Sequence, residues 1–376
     1  NAGIGDWVQR GSDILGEAGR DHSSFSVGDN PGNSIALSAD GKIVAIGGYA
    51  SDIAGRGGHN SETGVVRVYQ WDAPNGAWVQ MGQDVDGESP YGAFGYALDI
   101  SGDGTVLAVG APRNRGDQNQ HYNLGQVRVF KWDPNTTPNQ WYDADVGAWV
   151  GGDQPGAWVQ MGQDIDGDSA AYDHLGYTVA LSADGTVLAS SSPYNSGSRY
   201  VSVYEWDGSA WVLRGPRFNL PSYNDMYGWP VSLSADGTIL AMGQSWSTSS
   251  YSGRVLVYSW DGSAWSQMGT TINGKYLTSN SVKLNADGTV LAIGTPITPG
   301  DTYSGAAYVY TWDGGAWVQR GATLQPTTGY SKFGTSVALD SKGGVLAVGD
   351  DASQGKVRLY AWDDVSAWVL VDTIEG

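Results

Sequence analysis

Two acidic segments carry the side chains best suited to binding a metal ion. Carboxylates alternate along residues 84–88 (DVDGE) and again along residues 164–168 (DIDGD). Alternation places oxygen ligands on one side of a turn, and Ca²⁺ prefers such ligands. Each segment is shorter than a complete calcium loop and lacks a distal glutamate, so a solvated acidic turn is the alternative. The Ca²⁺ ligands predicted from this pattern are Asp84, Asp86, Glu88, Asp164, Asp166 and Asp168.

The pattern of nucleophiles and bases gives little sign of catalysis. The four histidines, at positions 22, 59, 121 and 174, are scattered without metal-ligand spacing, and neither G-x-S-x-G nor H-E-x-x-H occurs. The chain has no cysteine, which excludes disulfides and thiolate chemistry. We therefore expect a protein that is not an enzyme. A polysaccharide-cleaving enzyme, with a carboxylate pair assembled from distant loops, is one alternative.

Composition limits the partners of the chain. It has 376 residues and a formal net charge of −19, so it lacks the basic surface that nucleic acids and anionic membranes attract. No apolar run is long enough to insert into a membrane. The 56 glycines, 17 tryptophans and 21 tyrosines are typical of short strands joined by tight turns.

One pattern recurs six times and predicts the elements that position these side chains. A turn such as S-A-D-G lies between two apolar runs, as in residues 178–190 (TVALSADGTVLAS). Asp-Gly in this setting predicts a hairpin with a type I′ turn. A third run (VRVFKW, residues 127–132) and a fourth (AWVQMG, residues 157–162) follow, with paired tryptophans across their turn. We name these four strands a, b, c and d, and expect the tryptophans to pack within the sheet.

Six repeats of a four-stranded antiparallel meander predict an all-β, six-bladed β-propeller that occupies residues 1–376 as one domain. Pro230 falls within strand a of the fourth repeat, and proline is tolerated at a sheet edge, so strand a is the inner edge of each blade. Residues 134–157 are an insertion in blade 2. They contain Asn135-Thr136-Thr137, a sequence that accepts N-linked glycans in secreted proteins.

Loops between strands b and c, and between d and a, vary in length and share one end of the blades. This end is the expected binding face. Aromatic rings with nearby polar groups suit sugars, so a glycan-binding surface adhesin is an alternative function. Its predicted ligand residues are Tyr194, Trp246, Tyr251 and Tyr303, and the longest b–c loop adds Arg113, Arg115, Asp117 and His121. Tyrosines at 91, 172, 223, 276 and 330 precede strand a, where their regularity indicates packing between blades.

The strand-d phrase occurs seven times, once more than the others. Residues 6–11 (DWVQRG) open the chain and residues 367–370 (AWVL) close it. A closed ring of six blades can use only one of these two segments as an outer strand, and residues 1–13 are assigned as the surplus strand. A surplus strand can add a fifth strand to a blade, stay loose, or pair with another molecule. We expect self-assembly into a homo-oligomer or fibril through a donated strand, with Trp7, Val8, Trp368 and Val369 at the contact.

Several segments resemble the FG-GAP repeat of integrin-α-like propellers and their bacterial and algal surface relatives. These are residues 94–96 (FGY), 109–112 (VGAP) and 125–130 (GQVRVF), with further copies at 175–177 (LGY) and 333–335 (FGT). The resemblance implies the propeller fold and an extracellular or cell-surface protein with a role in adhesion or assembly. FG-GAP blades often carry a D-x-D-x-D-G calcium loop between strands a and b, and here only Asp-Gly remains. Together these features predict a non-enzymatic, extracellular structural protein.

Overall fold

A computed structural model describes the chain in fifteen segments. They are residues 7–14, 34–49, 63–115, 123–136, 141–143, 148–150, 156–168, 172–193, 199–220, 230–246, 252–275, 281–296, 305–326, 331–350 and 355–375. The fold is all-β, with six four-stranded antiparallel blades of the β-propeller class, as the repeat predicts. The described segments contain no helix that could cross a bilayer. The chain divides into two compact units, residues 9–220 and residues 1–8 with 221–376.

The unit of residues 9–220 holds blades 1 to 3. Blade 1 comprises β1 (Ser34–Leu37), β2 (Ile43–Gly48), β3 (Val65–Asp72), β4 (Ala77–Gln80) and β5 (Val85–Asp86). Blade 2 comprises β6 (Ala97–Ile100), β7 (Val106–Ala111), β8 (Gln126–Asp133), β11 (Ala157–Gln160) and β12 (Ile165–Asp166), and its insertion forms the hairpin β9 (Trp141–Asp143) and β10 (Ala148–Val150). Blade 3 comprises β13 (Val179–Leu181), β14 (Val187–Ser192), β15 (Arg199–Trp206), β16 (Trp211–Leu213) and β17 (Phe218–Leu220).

The second unit holds blades 4 to 6. Blade 4 comprises β18 (Val231–Leu233), β19 (Ile239–Trp246), β20 (Ser252–Trp260), β21 (Trp265–Gln267) and β22 (Ile272–Lys275). Blade 5 comprises β23 (Ser281–Leu284), β24 (Val290–Thr295), β25 (Ala306–Trp312) and β26 (Trp317–Gln319). Blade 6 comprises β27 (Val337–Leu339), β28 (Val345–Asp350), β29 (Lys356–Trp362) and β30 (Trp368–Glu375). Within each unit the buried apolar side chains lie between successive sheets, where both faces of a blade are covered.

The short fifth strand of blades 1 to 4 is the second half of strand d. In blade 2, β11 pairs with the end of β8 and β12 pairs with its beginning. The break falls at Met161-Gly162, where glycine has a φ of 84°. In blade 6, β30 runs the whole length of β29 with one bulge beside Leu359 and Tyr360. Strand d therefore covers all of strand c in these five blades, either broken at a glycine or continuous.

The turn between strands a and b differs in class from our prediction. In blade 1 the Gly41 N–H donates to the Ser38 carbonyl oxygen at 2.9 Å. Of the four turn residues only Gly41 has a positive φ, 65°. A type I turn closed by a left-handed glycine forms instead of a type I′ turn, which needs positive φ at both central residues. In blade 6 Asp340 takes the place of the serine, and its Oδ1 accepts from the N–H groups of Gly344 and Val345 at 2.6 and 2.7 Å.

Paired tryptophans link the outer strands of blades 2, 3, 5 and 6 to the preceding blade. In blade 2, Trp132 and Trp158 lie opposite each other with ring centroids 5.5 Å apart. The Trp158 indole N–H donates to the Met81 carbonyl oxygen, which belongs to strand d of blade 1, at 2.9 Å. The same bond joins Trp211 to Met161 at 2.9 Å and Trp368 to Arg320 at 3.0 Å. The tryptophans thus pack within the sheet, as expected, and also bond to the neighbouring blade.

The N-terminal copy of the strand-d phrase is used within the chain. Residues 7–14 form no strand, but the Arg10 carbonyl oxygen accepts from the Trp78 indole at 2.9 Å. The Arg10 guanidinium lies 4.9 Å from the centre of the Trp71 ring and donates to the Gly41 carbonyl oxygen at 3.1 Å. Arg320 makes the same contacts to Trp362 and Gly343 in blade 6.

These contacts remove the basis of the donated-strand prediction. Trp7 and Val8 are 54% and 83% exposed and lie outside any strand, three and two positions before the docked residue Arg10. Trp368 is buried in strand d of blade 6. Val369, on the same strand, pairs with Ala361 of strand c. Residues 7–11 contact blade 1 through Arg10 in the same way that strand d of blade 5 contacts blade 6 through Arg320. The described residues 7–14 of this segment form no strand, and Arg10 docks on blade 1.

Candidate functional site

Five residues around the b–c loop of blade 2 adopt a backbone conformation that side chains disfavour. Their φ angles lie between 56° and 73°, and among the described residues only seven that are not glycine have a positive φ. Strained backbone of this kind persists only where the surrounding structure holds it in place, and it is found most often at functional sites. The five residues are Tyr91, Ala93, Asn123, Tyr172 and His174.

Backbone hydrogen bonds hold three loops together at this point. The Arg113 N–H, in the b–c loop, donates to the Gly92 carbonyl oxygen at 3.2 Å. The His174 N–H donates to the Asn123 carbonyl oxygen at 3.0 Å, near the other end of the same loop. The b–c loop of blade 2 is thus fixed to the d–a loops on both sides of the blade. We call Tyr91, Arg113, Tyr172 and His174 the His174 site.

The His174 imidazole is neutral at physiological pH. The side chain is half-buried, and this burial together with the positive charge of Arg113 lowers the pKa of His174 to about 4. A neutral imidazole has one nitrogen able to accept a proton. Arg113 is exposed. The pair therefore combines a proton acceptor with a fixed cation.

A buried network supports the loop directly behind His174. Asp173 is fully buried and accepts hydrogen bonds from the Tyr200 hydroxyl at 2.8 Å and from the Asp168 N–H at 2.6 Å. Burial, reinforced by the Asp173 carboxylate, raises the pKa of Tyr200, which stays protonated as a donor. The Arg217 guanidinium stacks over the Tyr200 ring at 4.4 Å and forms an ion pair with Asp168. This network holds the backbone on which His174 stands.

Two exposed tyrosines flank the same position. Tyr91 is 51% exposed and Tyr172 is 49% exposed, so neither packs between blades as their repeated spacing suggested. Tyr91 directly precedes Gly92, which binds Arg113, and Tyr172 lies two residues before His174. Aromatic faces of this kind pack against apolar surface while their hydroxyl groups bond to polar ligands.

The predicted calcium ligands lie beside arginine and glutamine side chains. In the first acidic segment Asp84 forms an ion pair with Arg67 at 2.9 Å, and Glu88 forms one with Arg128 at 2.9 Å. The Asp86 carbonyl oxygen accepts from Arg128 at 3.2 Å. No group of three histidine, cysteine, aspartate or glutamate side chains within the described segments is arranged to hold a metal ion.

The second acidic segment is similar. The Asp164 carboxylate accepts a hydrogen bond from the Gln160 side chain at 2.6 Å. The Gln126 side-chain amide donates to Asp164 at 3.1 Å and to Asp166 at 3.2 Å. Asp168 pairs with Arg217. The alternation that suggested a calcium turn therefore reflects strand d, whose second half places these carboxylates beside strand c.

Most of the predicted glycan-binding residues lie outside the described segments. These are Tyr194, Tyr251 and Tyr303, together with Asp117 and His121 of the long loop. The backbone of Trp246 pairs with Ser252 at the end of strand b in blade 4. Asn135, the predicted glycan acceptor, is exposed, and its N–H donates to the Asp133 carboxylate at 2.9 Å.

Sequence reasoning did not single out His174, although a signal was present. Ala93, His174 and Lys332 occupy equivalent positions just before the FG-like pairs, and all three have a positive φ. Of these three residue types, only histidine has an ordinary pKa close to neutral pH. The neighbouring cation, Arg113, comes from another loop, and no spacing in the sequence indicates that contact.

Comparisons with known proteins place the fold. No protein-family model matches the sequence, and a search of curated protein sequences finds no significant match. Among solved structures, the chain is similar to a periplasmic gluconolactonase of Pseudomonas aeruginosa, with a TM-score of 0.53, 18% identity, and coverage of 91% of this chain and 85% of that one.

Two further structures are similar to the same extent. One is a candidate 6-phosphogluconolactonase of Bacteroides fragilis, with a TM-score of 0.55, 12% identity and coverage of 91% and 84%. The other is a hypothetical selenium-binding protein of Sulfolobus tokodaii, with a TM-score of 0.56, 9% identity and coverage of 92% and 81%. At these identities the likeness establishes the fold.

The comparisons correct our expectation of function. We expected a non-enzymatic structural protein, and solved structures that share its fold are named as lactonases. The expectation failed because a propeller leaves catalytic groups on separate loops, where no local motif marks them. His174 and Arg113, whose backbones lie on neighbouring loops of this site, are 61 positions apart in the chain.

Proposed function

We propose that this protein is a hydrolase that opens a sugar lactone at the His174 site. The observation that carries the proposal is the neutral, half-buried imidazole of His174 beside the Arg113 cation. The lactonases among the structural neighbours support the choice of reaction class. Lactone hydrolysis needs a proton acceptor for the attacking water and a positive group for the oxyanion, and both are available here.

The reaction divides into two proton transfers around one intermediate. The His174 imidazole accepts a proton from water as the water oxygen attacks the lactone carbonyl carbon. The carbonyl oxygen becomes an oxyanion, which the Arg113 guanidinium stabilises. The intermediate then collapses, the bond from the carbonyl carbon to the ring oxygen breaks, and the imidazolium returns the proton to the leaving alkoxide. The product is an open-chain hydroxy acid.

The surroundings of the pair favour a sugar as the substrate. The half-exposed rings of Tyr91 and Tyr172 can stack on the apolar face of a pyranose, while their hydroxyl groups bond to its oxygens. The network of Asp173 and Tyr200 keeps the loop in the strained conformation that holds His174 in position. Pre-organised groups of this kind need no rearrangement during the reaction.

Replacement of His174 with alanine tests the proposal. We expect His174→Ala to lower kcat/KM for glucono-δ-lactone about 100-fold or more, because a general base is lost. Alanine fits the site, since Ala93 already takes the same φ of 56° in blade 2. The measurement is pH-stat titration of the acid released, corrected for spontaneous hydrolysis.

Lys332→Ala is the matched control, because Lys332 has the equivalent position and a positive φ in blade 6. It should hydrolyse the lactone at the wild-type rate. Wild-type protein that does not accelerate the opening of glucono-δ-lactone, 6-phosphogluconolactone or the lactone of a disaccharide would reject the proposal.

A further inference from the structure

Three tyrosine rings form a continuous row across blades 1 to 3. The rings of Tyr49 and Tyr96 meet edge to face with centroids 5.6 Å apart, and the rings of Tyr96 and Tyr177 are tilted with centroids 5.0 Å apart. All three side chains are half-buried. We call these residues the tyrosine row.

The position of the row follows from the repeat. Tyr49 comes directly after strand b of blade 1, while Tyr96 and Tyr177 end the FG-like segments that lead into strand a of blades 2 and 3. In a meander, strand b ends where strand a begins, so the rings lie at one end of the sheets. Arg113 and His174 lie at that same end, on the b–c and d–a loops.

Backbone contacts fix the row in place. The carbonyl group of Gly95 packs against Gly47, and that of Gly176 packs against Gly110, so closely that neither strand-b glycine has space for a side chain. The Gly95 N–H also donates to the Gly110 carbonyl oxygen at 3.1 Å. Gly95 and Gly176 directly precede Tyr96 and Tyr177. Because their backbone is held against the neighbouring blade, the two rings are presented in a rigid arrangement.

The row lies within reach of the proposed catalytic pair. Tyr177 follows His174 by three residues, which extended backbone spans in roughly 10 Å at most. A rigid row of amphipathic rings offers stacking surface and hydroxyl groups together, the combination that a pyranose ring binds. The distance leaves room for a sugar unit linked to the one that reacts.

We propose that the tyrosine row is a second sugar subsite, and that the substrate is the lactone end of a disaccharide or longer oligosaccharide. The inference rests on the proposed lactonase function and specifies its substrate class. The lactone ring occupies the His174 site, and the neighbouring sugar unit packs on Tyr177 and Tyr96. Binding energy from this unreactive unit positions the lactone for attack.

The test compares two lactones of glucose origin, glucono-δ-lactone and the δ-lactone of a β-1,4-linked glucose disaccharide. We expect wild-type protein to favour the disaccharide lactone about tenfold or more in kcat/KM. Tyr177→Ala should reduce that ratio about tenfold. Tyr177→Phe retains the stacking surface and should keep most of the preference. Thermal unfolding of each variant shows whether the fold is intact.

The matched control is Thr335→Ala. Thr335 ends the equivalent FG-like segment of blade 6, where it is exposed, and its replacement should leave the ratio unchanged. Equal kcat/KM for the two lactones in wild-type protein would overturn the inference, and so would a preference that survives in a folded Tyr177→Ala variant.

A binding measurement separates the two proposals. If neither lactone is hydrolysed, the lactonase proposal fails, and calorimetric titration with the disaccharide cellobiose and with glucose then decides the role of the row. Cellobiose binding that is lost in Tyr177→Ala supports a sugar site on these rings. No cellobiose binding by wild-type protein overturns it.

Discussion

At the scale of single residues, the environment of His174 sets its chemistry. Burial and the Arg113 charge both disfavour the imidazolium form, so the pKa lies at about 4 instead of the ordinary 6.5. The unfolded chain binds a proton more readily than the folded one between these two values. Protonation of this group therefore destabilises the fold as the pH falls from 6.5 towards 4.

The pH dependence of activity follows from the same shift. We expect kcat/KM to rise with pH through a single step near pH 4 and to remain level above it, because the neutral imidazole is the active form. The step is measured from initial rates of lactone hydrolysis between pH 3 and pH 7, after the rate of hydrolysis in buffer alone has been subtracted.

Arg113 variants show whether the cation causes part of this shift. Arg113→Ala should move the step upwards, towards the ordinary value for histidine, and should slow hydrolysis. Arg113→Lys should leave the step near its wild-type position, since it keeps the positive charge. A step near pH 6.5 in the wild-type protein would contradict the proposed role of His174 as a neutral, half-buried base.

The sequence predicted residue types at this scale better than residue partners. The alternating carboxylates of residues 84–88 suggested calcium ligands, but Arg67 and Arg128 come from strand c and pair with two of them. The seventh strand-d phrase suggested a free strand, but Arg10 docks against Trp71 and Trp78. In each case the partner is supplied by another strand, and a linear pattern does not show it.

At the scale of elements, glycines in strand b decide how blades meet. Gly47, Gly110 and Gly294 each pack against the carbonyl group of the FG-like segment of the next blade. These contacts explain why the apolar run of strand b ends in A-x-G. The repeat itself, the strand order and the tryptophan pairs could be predicted from sequence because each depends on local alternation and turns. The turn class could not, because Asp-Gly is compatible with more than one hairpin geometry.

Gly110→Ala tests the packing of strand b. A methyl group would overlap the backbone of Gly176, which has no flexible side chain to move aside. We expect a loss of about 3 kcal/mol in the free energy of unfolding, measured in urea. Gly344→Ala is the control, because the added methyl group meets nothing within 4 Å, and it should change stability by about 0.5 kcal/mol or less. Equal effects of the two changes would show that the close contact is unimportant.

At the scale of the whole molecule, the six blades and their meander order were correctly predicted, whereas the function was not. The blade count follows from repetition, which a sequence displays directly. Loops that the repeat leaves free to vary carry function in such scaffolds, and no sequence motif marks His174 among the three equivalent positions that the structure describes. The extracellular location and the relationship to FG-GAP repeats stay predictions.

The N-terminal segment offers a test at this scale. Arg10→Ala removes the stacking on Trp71 and the hydrogen bond to Gly41. We expect it to lower the free energy of unfolding by about 1 kcal/mol, as for a partly exposed cation over an aromatic ring. The control is Gln9→Ala, whose exposed side chain bonds only to the exposed Asp13 nearby. Arg320→Ala, which removes the same contacts in blade 6, should cost a similar amount, and a cost for neither arginine would contradict the shared role.

The indole hydrogen bonds between outer strands run in one direction along the chain. Trp158 donates to a carbonyl group made 77 residues earlier, and Trp211 to one made 50 residues earlier. Trp78 does the same with Arg10, so even the first sheet finds its acceptor already synthesised. Each of these sheets can therefore dock, as it leaves the ribosome, on a neighbour that has already been made, and none of the described links of this kind depends on residues that are still to be synthesised.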